Sequence, residues 1–205
     1  MSTHNRAAHW NEVYATKAPN QVSWFQAEPV QSLRMIAASG ANNDAAIIDV
    51  GGGASVLVDR LLAAGFTDVS VLDIAENALE RSITRLGQAA ARVNWIVADV
   101  LSWTPQRSYD VWHDRAVFHF LTTETDRKAY LTQVRRTVRP GGYVVVATFA
   151  EDGPTSCSGL PVARYSADTL HHAFGRSFEL VESIREMHIT PTGAQQSFVY
   201  CLFLV

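Results

Sequence analysis

A chain of 205 residues with 47% hydrophobic content and a formal net charge of −3 is long enough for one domain with a real core. Its 17 basic residues form no stripe, which disfavours extensive nucleic-acid binding, and its longest apolar runs, 143–147 and 198–205, are strand-length and exclude a membrane span. No apolar signal-peptide core opens the chain, and Cys157 and Cys201 are too few for a disulfide framework, so a reducing cytoplasm is expected.

Residues 1–27 are expected to form an aromatic arm. Trp10 and Tyr14 are four apart and share a helix face, and Trp24-Phe25 follow beyond Pro19. Such an arm either packs on the core or serves as a lid over a bound cofactor. The main domain is expected over 28–205, where Pro29 opens a helix that runs to Gly40.

The stretch 45–50 is a short apolar run closed by Gly51-Gly52-Gly53, which reads as a buried parallel strand entering a tight turn. Val56-Leu57-Val58 and Leu61-Leu62 then recur at helical spacing up to Gly65. Strands and helices alternate from there. Strands are predicted at 69–72, 93–97, 109–113 and 143–149, and helices at 76–86 and from Thr123-x-x-Asp126, a capping-box variant, to a stop at Pro140-Gly141-Gly142. The end departs from this alternation. A helix from Ser166 to Gly175 leads into two strands, 178–189 and 195–205, joined by the hairpin signal Thr190-Pro191-Thr192-Gly193. The expected fold is α/β, a Rossmann-like doubly wound sheet of seven strands, mostly parallel, with a C-terminal antiparallel hairpin. The loop 151–164 is rich in Gly, Pro, Ser and Thr, is long for a compact domain, and is expected to face the acceptor.

Ligands of open α/β sheets bind at the carboxyl ends of the strands. Three acids stand at such ends: Asp49, Asp73 (followed by Ile74) and Asp99 (followed by Val100). A dinucleotide site wants G-x-G-x-x-G/A, but counting from Gly51 and Gly53 puts Val56 in the last position, and Asp49 beside the turn would repel a pyrophosphate. A cationic ligand such as S-adenosylmethionine (SAM), with its sulfonium and ammonium, suits that carboxylate. After the fourth strand, His113, Asp114 and His119 are candidates for a general base or for acceptor positioning. No His, Cys or acid cluster has metal-ligand spacing, and no metal is expected.

The motifs Asp49-Val50-Gly51-Gly52-Gly53, Asp73, Ala98-Asp99-Val100 and Arg139-Pro140-Gly141-Gly142 together resemble the class I (seven-β-strand) SAM-dependent methyltransferases, over nearly the whole chain. The resemblance implies SAM as cofactor. It implies that Asp73 binds ribose, Asp99 the adenine amino group, and Asp114 the ammonium, with Trp10 and Tyr14 covering the cofactor. It also implies transfer of the sulfonium methyl in-line to an O, N or S nucleophile of a small molecule, with His119 or His113 as catalytic residues. A narrower likeness links His9-Trp10-Asn11-Glu12-Val13-Tyr14 and Asp114-Arg115-Ala116 to the seven-strand lysine methyltransferases, which show Asp-Lys-Gly after strand four, and the aromatic arm to thiopurine-type small-molecule methyltransferases. The alternatives are therefore a protein-lysine methyltransferase and a catalytically silent SAM-binding scaffold.

Overall fold

The computed structural model describes residues 3–205, so the first two residues of the expected arm lie outside the described residues. In chain order the chain forms helix α1 (Thr3–Thr16), α2 (Val30–Ala38), strand β1 (Ile47–Val50), α3 (Leu57–Ala63), β2 (Val69–Asp73), α4 (Glu76–Leu86), β3 (Val93–Val97) and β4 (Tyr109–Arg115). Then follow α5 (Glu124–Thr137), β5 (Val138–Phe149), a two-stranded hairpin of β6 (Ser156–Cys157) and β7 (Leu160–Pro161), α6 (Ala167–Phe174), β8 (Glu179–Ile189) and β9 (Gln195–Leu204).

The main sheet has seven strands in the order β3-β2-β1-β4-β5-β9-β8. The first five are mutually parallel, and β9 runs antiparallel to both β5 and β8. This is the seven-strand, mostly parallel arrangement with a C-terminal antiparallel pair that the alternation of elements implies. Strand order reverses at β1, between β2 and β4, and that reversal opens a crevice at the strands' carboxyl ends.

Both faces of the sheet are covered, as a parallel sheet requires. Side chains alternate between them. Ile48, Val50 and Trp112 point to one face, where Tyr130 and Val134 of α5 and Leu170 and Phe174 of α6 pack against them. Ile47 and Val111 point to the other, against Met35 and Ile36 of α2 and Leu57 and Leu61 of α3.

Some element boundaries differ from the sequence expectation. Helix α5 stops at Thr137, ahead of Pro140, and β5 begins at Val138, which pairs with Tyr109 before the register shifts. The physical reason is the proline ring, which disfavours helical backbone in the residue before it. Thr123 does cap α5, its Oγ1 accepting the Asp126 N–H at 3.1 Å. The loop 151–164 contains the β6–β7 hairpin, whose tip residues Ser158 and Gly159 both have positive φ, 49° and 76°. That pair of conformations suits the right-handed twist of a two-residue hairpin.

Candidate active site

The glycine turn after β1 is built for close approach. Gly51 and Gly53 have φ of 69° and 42°, conformations that a side chain would strain. A Cβ on Gly51 would lie 2.0 Å from Val117 Cγ2, one on Gly52 2.5 Å from Asp49 Oδ2, and one on Gly53 2.9 Å from Asp73 Oδ2 and 3.0 Å from the Tyr14 hydroxyl. The turn is thus a bare cradle bordered by two carboxylates and a phenol.

Asp49 sits beside His113 across the parallel β1–β4 pair. Its Oδ1 lies 2.7 Å from His113 Nδ1, and His113 Nε2 lies 2.9 Å from Ser32 Oγ on α2. A carboxylate only accepts, so Nδ1–H donates to it, and Nε2 pairs with the Ser32 hydroxyl. Asp49 Oδ2 is buried with no hydrogen-bond partner beside the glycine turn. An unpartnered buried carboxylate oxygen is costly unless a donor or a cation meets it.

A cleft opens beyond the turn, lined by Gly51, Asp73, Ile74, Asp99 and Val100 on one side and by Arg115, Val117 and Phe120 on the other. Helix α1 covers it with Arg6, Trp10 and Tyr14, one residue per turn on a single face. Trp10 meets Trp24 and Phe120 edge to face, with ring centroids 5.8 and 5.0 Å apart. Asp73 is buried, and burial pushes its pKa up to about 7, against the Ala75 N–H that its Oδ1 accepts at 2.8 Å and with the help of the charge on Asp49. Burial also raises Tyr14, and the neighbouring Asp73 adds to the effect. Burial acts on Asp99 too. Yet its Oδ2 receives Nε and Nη2 of Arg6 at 3.2 and 2.6 Å and its Oδ1 the Leu101 N–H at 3.0 Å, and the net effect lowers its pKa.

The structure brings Trp10, Tyr14, Gly51, Asp73, Ile74, Asp99 and Val100 to one cleft, with Gly53 and Asp49 bordering it. The end of β4, which runs on through Asp114 to Arg115, and the segment after it are arranged differently from expectation. Asp114 does not line the cleft. Its Oδ1 accepts the Val117 N–H at 2.9 Å, and its Oδ2 accepts the Phe118 N–H at 3.1 Å and the Tyr130 O–H at 2.6 Å. Its carboxyl therefore caps the turn at 118–120, and burial pushes its pKa up to about 6. Both of its oxygens are thus buried and occupied by protein donors.

His119 is fully buried between Phe120 and Phe149. Its Nδ1 accepts the Phe149 N–H at 3.4 Å, its Nε2 has no partner, and burial pulls its pKa down to about 3. So weak a base, outside the cleft wall, is poorly matched to proton removal at neutral pH. His113 faces Asp49 and Ser32, which makes it a positioning residue for the carboxylate. Arg6 escaped the sequence reading. Arg6 had one readable signal, its place four residues before Trp10 on the same helix face.

A family model described as "Methyltransferase domain" matches residues 47–142, from β1 to the start of β5. Among curated relatives, EEF1A lysine methyltransferase 2 of Danio rerio is 27% identical over 169 residues, covering 78% of this chain and 66% of that one. Matched segments span from 48% to 66% of the length of the first relatives. The N-methyltransferase NodS of Bradyrhizobium japonicum WM9, solved with S-adenosylhomocysteine (SAH), superposes with a TM-score of 0.74 at 17% identity, covering 99% of this chain and 98% of that one. The 1,6-didemethyltoxoflavin-N1-methyltransferase of Burkholderia thailandensis, solved with its substrate and SAH, gives 0.71 at 18% identity, covering 99% and 90%. With the strand order, the glycine cradle and the acids at three successive strand ends, these matches show that the chain carries a segment similar to a methyltransferase domain and shares the fold of solved SAM-dependent methyltransferases.

Proposed function

We propose that this protein is a SAM-dependent methyltransferase acting on an O, N or S nucleophile of a small molecule. The observation that carries the reading is the single cleft in which Asp73, Asp99 and the bare Gly51–Gly53 turn meet an aromatic wall. These residues fit SAM. The unpartnered Oδ2 of Asp49 beside the turn suits a positively charged group, the buried Asp73 carboxyl suits vicinal hydroxyls, and Asp99 Oδ1 suits an exocyclic amine. When bound, SAM supplies a methyl group already activated on a sulfonium.

The chain's own residues then have three tasks. Asp73, Asp99 and the glycine turn hold the cofactor. Trp10, Trp24 and Phe120 exclude water from the transfer end. The β4 end and its flanking loop align the acceptor. Burial keeps the Cys157 thiol and the Tyr14 phenol protonated at neutral pH. The acceptor half of the described cleft wall thus offers no general base, and an acceptor that ionises readily is the best match. Two free, buried cysteines suit a reducing cytoplasm, and no described helix is long and apolar enough to cross a membrane.

A protein-lysine acceptor is the second reading, favoured by the likeness to the lysine methyltransferase of Danio rerio. Incubation with methyl-labelled SAM, a metabolite pool and a protein lysate separates the two. Label in the small-molecule fraction supports the first reading and label in protein the second. Labelled acceptor in neither fraction favours a silent SAM-binding scaffold.

A further inference from the structure

The acceptor half of the cleft carries one charged side chain. Arg115 closes β4 and enters the wall beside Ala116, Val117, Trp24, Phe120 and Cys157. Its Nε donates to the Tyr200 hydroxyl at 2.8 Å and its Nη1 to the Trp24 carbonyl at 2.9 Å, while the guanidinium lies 4.4 Å over the Phe198 ring. These contacts fix the plane of the group before any ligand arrives. Nη2, however, is buried with no hydrogen-bond partner.

The nearest acid does not fill that gap. Glu186 Oε2 stands 3.8 Å from Nη2, close enough for a loose ion pair but beyond hydrogen-bond reach, so the Nη2 hydrogens stay unmet. The oxygens of Glu186 already accept Gln26 Nε2 at 3.0 Å and the Tyr200 O–H at 2.9 Å, and Glu186 is not part of the cleft wall. A fixed, buried guanidinium with one end unmet, set in an otherwise apolar wall, is a recognition device for an anionic oxygen. A dianion would call for a second cation, and the cleft's other arginine, Arg6, is paired with Asp99.

Resting on the methyltransferase reading of the cleft, we propose that Arg115 binds a carboxylate on the methyl acceptor, which makes the substrate a small acid with a flat, apolar body. Arg115 is then the residue that sets acceptor specificity.

The test is calorimetric titration of the SAH-saturated protein with benzoate, cinnamate and indole-3-acetate, against the matching amides and n-butylamine. At least one acid is expected to bind about tenfold or more tightly than its amide, the range of a charge-assisted hydrogen bond. In Arg115→Gln that preference disappears, and in Arg115→Lys it is largely lost, because an ammonium does not reproduce the planar fork. The wild-type comparison of acid with amide stands even if a variant fails to fold. Amides or n-butylamine binding as tightly as the acids, no acid binding at all, or a preference that survives Arg115→Gln overturns the proposal. Failure of SAH itself to bind removes the methyltransferase reading beneath it, a result distinguishable from loss of acid preference alone.

Discussion

Asp73 lies at the carboxyl end of β2 with its carboxyl buried beside the glycine turn, and its protonation is therefore tied to folding and to binding. Its pKa rises from 3.8 to about 7 because burial penalises the charge. Between those values the folded protein keeps a proton that the unfolded chain has released. The stability from this group is complete below the lower value and is lost as pH rises to about 7, an effect of up to about 4 kcal/mol. Asp114 acts in the same direction up to about pH 6. His119 opposes both, since its folded pKa of about 3 lies below 6.5 and its contribution is lost as pH falls through that interval. Ribose hydroxyls donate best to an ionised carboxylate, so SAH affinity is expected to rise between about pH 6 and 8 as Asp73 loses its proton. Calorimetry across that range checks it, and Asp73→Asn should flatten the profile. A slope unchanged in Asp73→Asn would assign the effect to another group. Ala116 supplies a second residue-scale prediction. It occupies the left-handed region at φ 72°, where the lysine methyltransferase motif has glycine. Ala116→Gly should stabilise the protein by about 1 kcal/mol, raising Tm by roughly 2–4 °C. A fall in Tm on thermal denaturation would show that the unfolded-state entropy of glycine outweighs the relieved strain.

Helix α1 shows how far a local sequence signal reaches. The i, i+4 spacing of Trp10 and Tyr14 was legible, and both line the cleft. The role of Arg6 was not, because its partner Asp99 lies 93 residues away and a single arginine in a polar helix implies no partner. The end of β4 and the segment after it depart from the expected grouping for a different reason. His113, Asp114 and His119 fall within seven residues in sequence, but the strand pleat sends His113 and Asp114 to opposite faces. His119 follows on a short turn whose direction is set by Asp114 accepting backbone N–H groups. Helix α1 is a terminal element that docks through side chains, among them Arg6 to Asp99, the Asn77 N–H to Asn11 Oδ1 at 3.2 Å, Arg81 to the Tyr14 carbonyl, and the Trp10 ring against Trp24 and Phe120. Such an element belongs to the least stable part of a fold. Hydrogen exchange of the α1 amides is expected to slow when SAH is added, with the effect reduced in Arg6→Ala. Exchange unchanged by SAH would make α1 a packing element with no lid function.

At the scale of the whole molecule, the alternation of apolar runs and helical patterns was sufficient to read the sheet, since a parallel strand buried on both faces has few polar positions to confuse it. The β9 register against β5, Tyr143 with Leu204 through Phe149 with Phe198, depends on contacts that no local pattern encodes. The small β6–β7 hairpin was hidden because Ser158 adopts positive φ at a residue that does not advertise it. What the topology does fix is the place of the crevice, at the carboxyl ends of β1, β2, β3 and β4. The central claim, that this crevice takes SAM and not a dinucleotide, is tested most directly by calorimetric titration of the full chain with SAH and with NAD, for wild type and Asp73→Ala. The account predicts saturable SAH binding, no measurable NAD binding, and a loss of SAH affinity of roughly 10- to 100-fold in Asp73→Ala. NAD binding more tightly than SAH, or SAH affinity indifferent to Asp73, would contradict it.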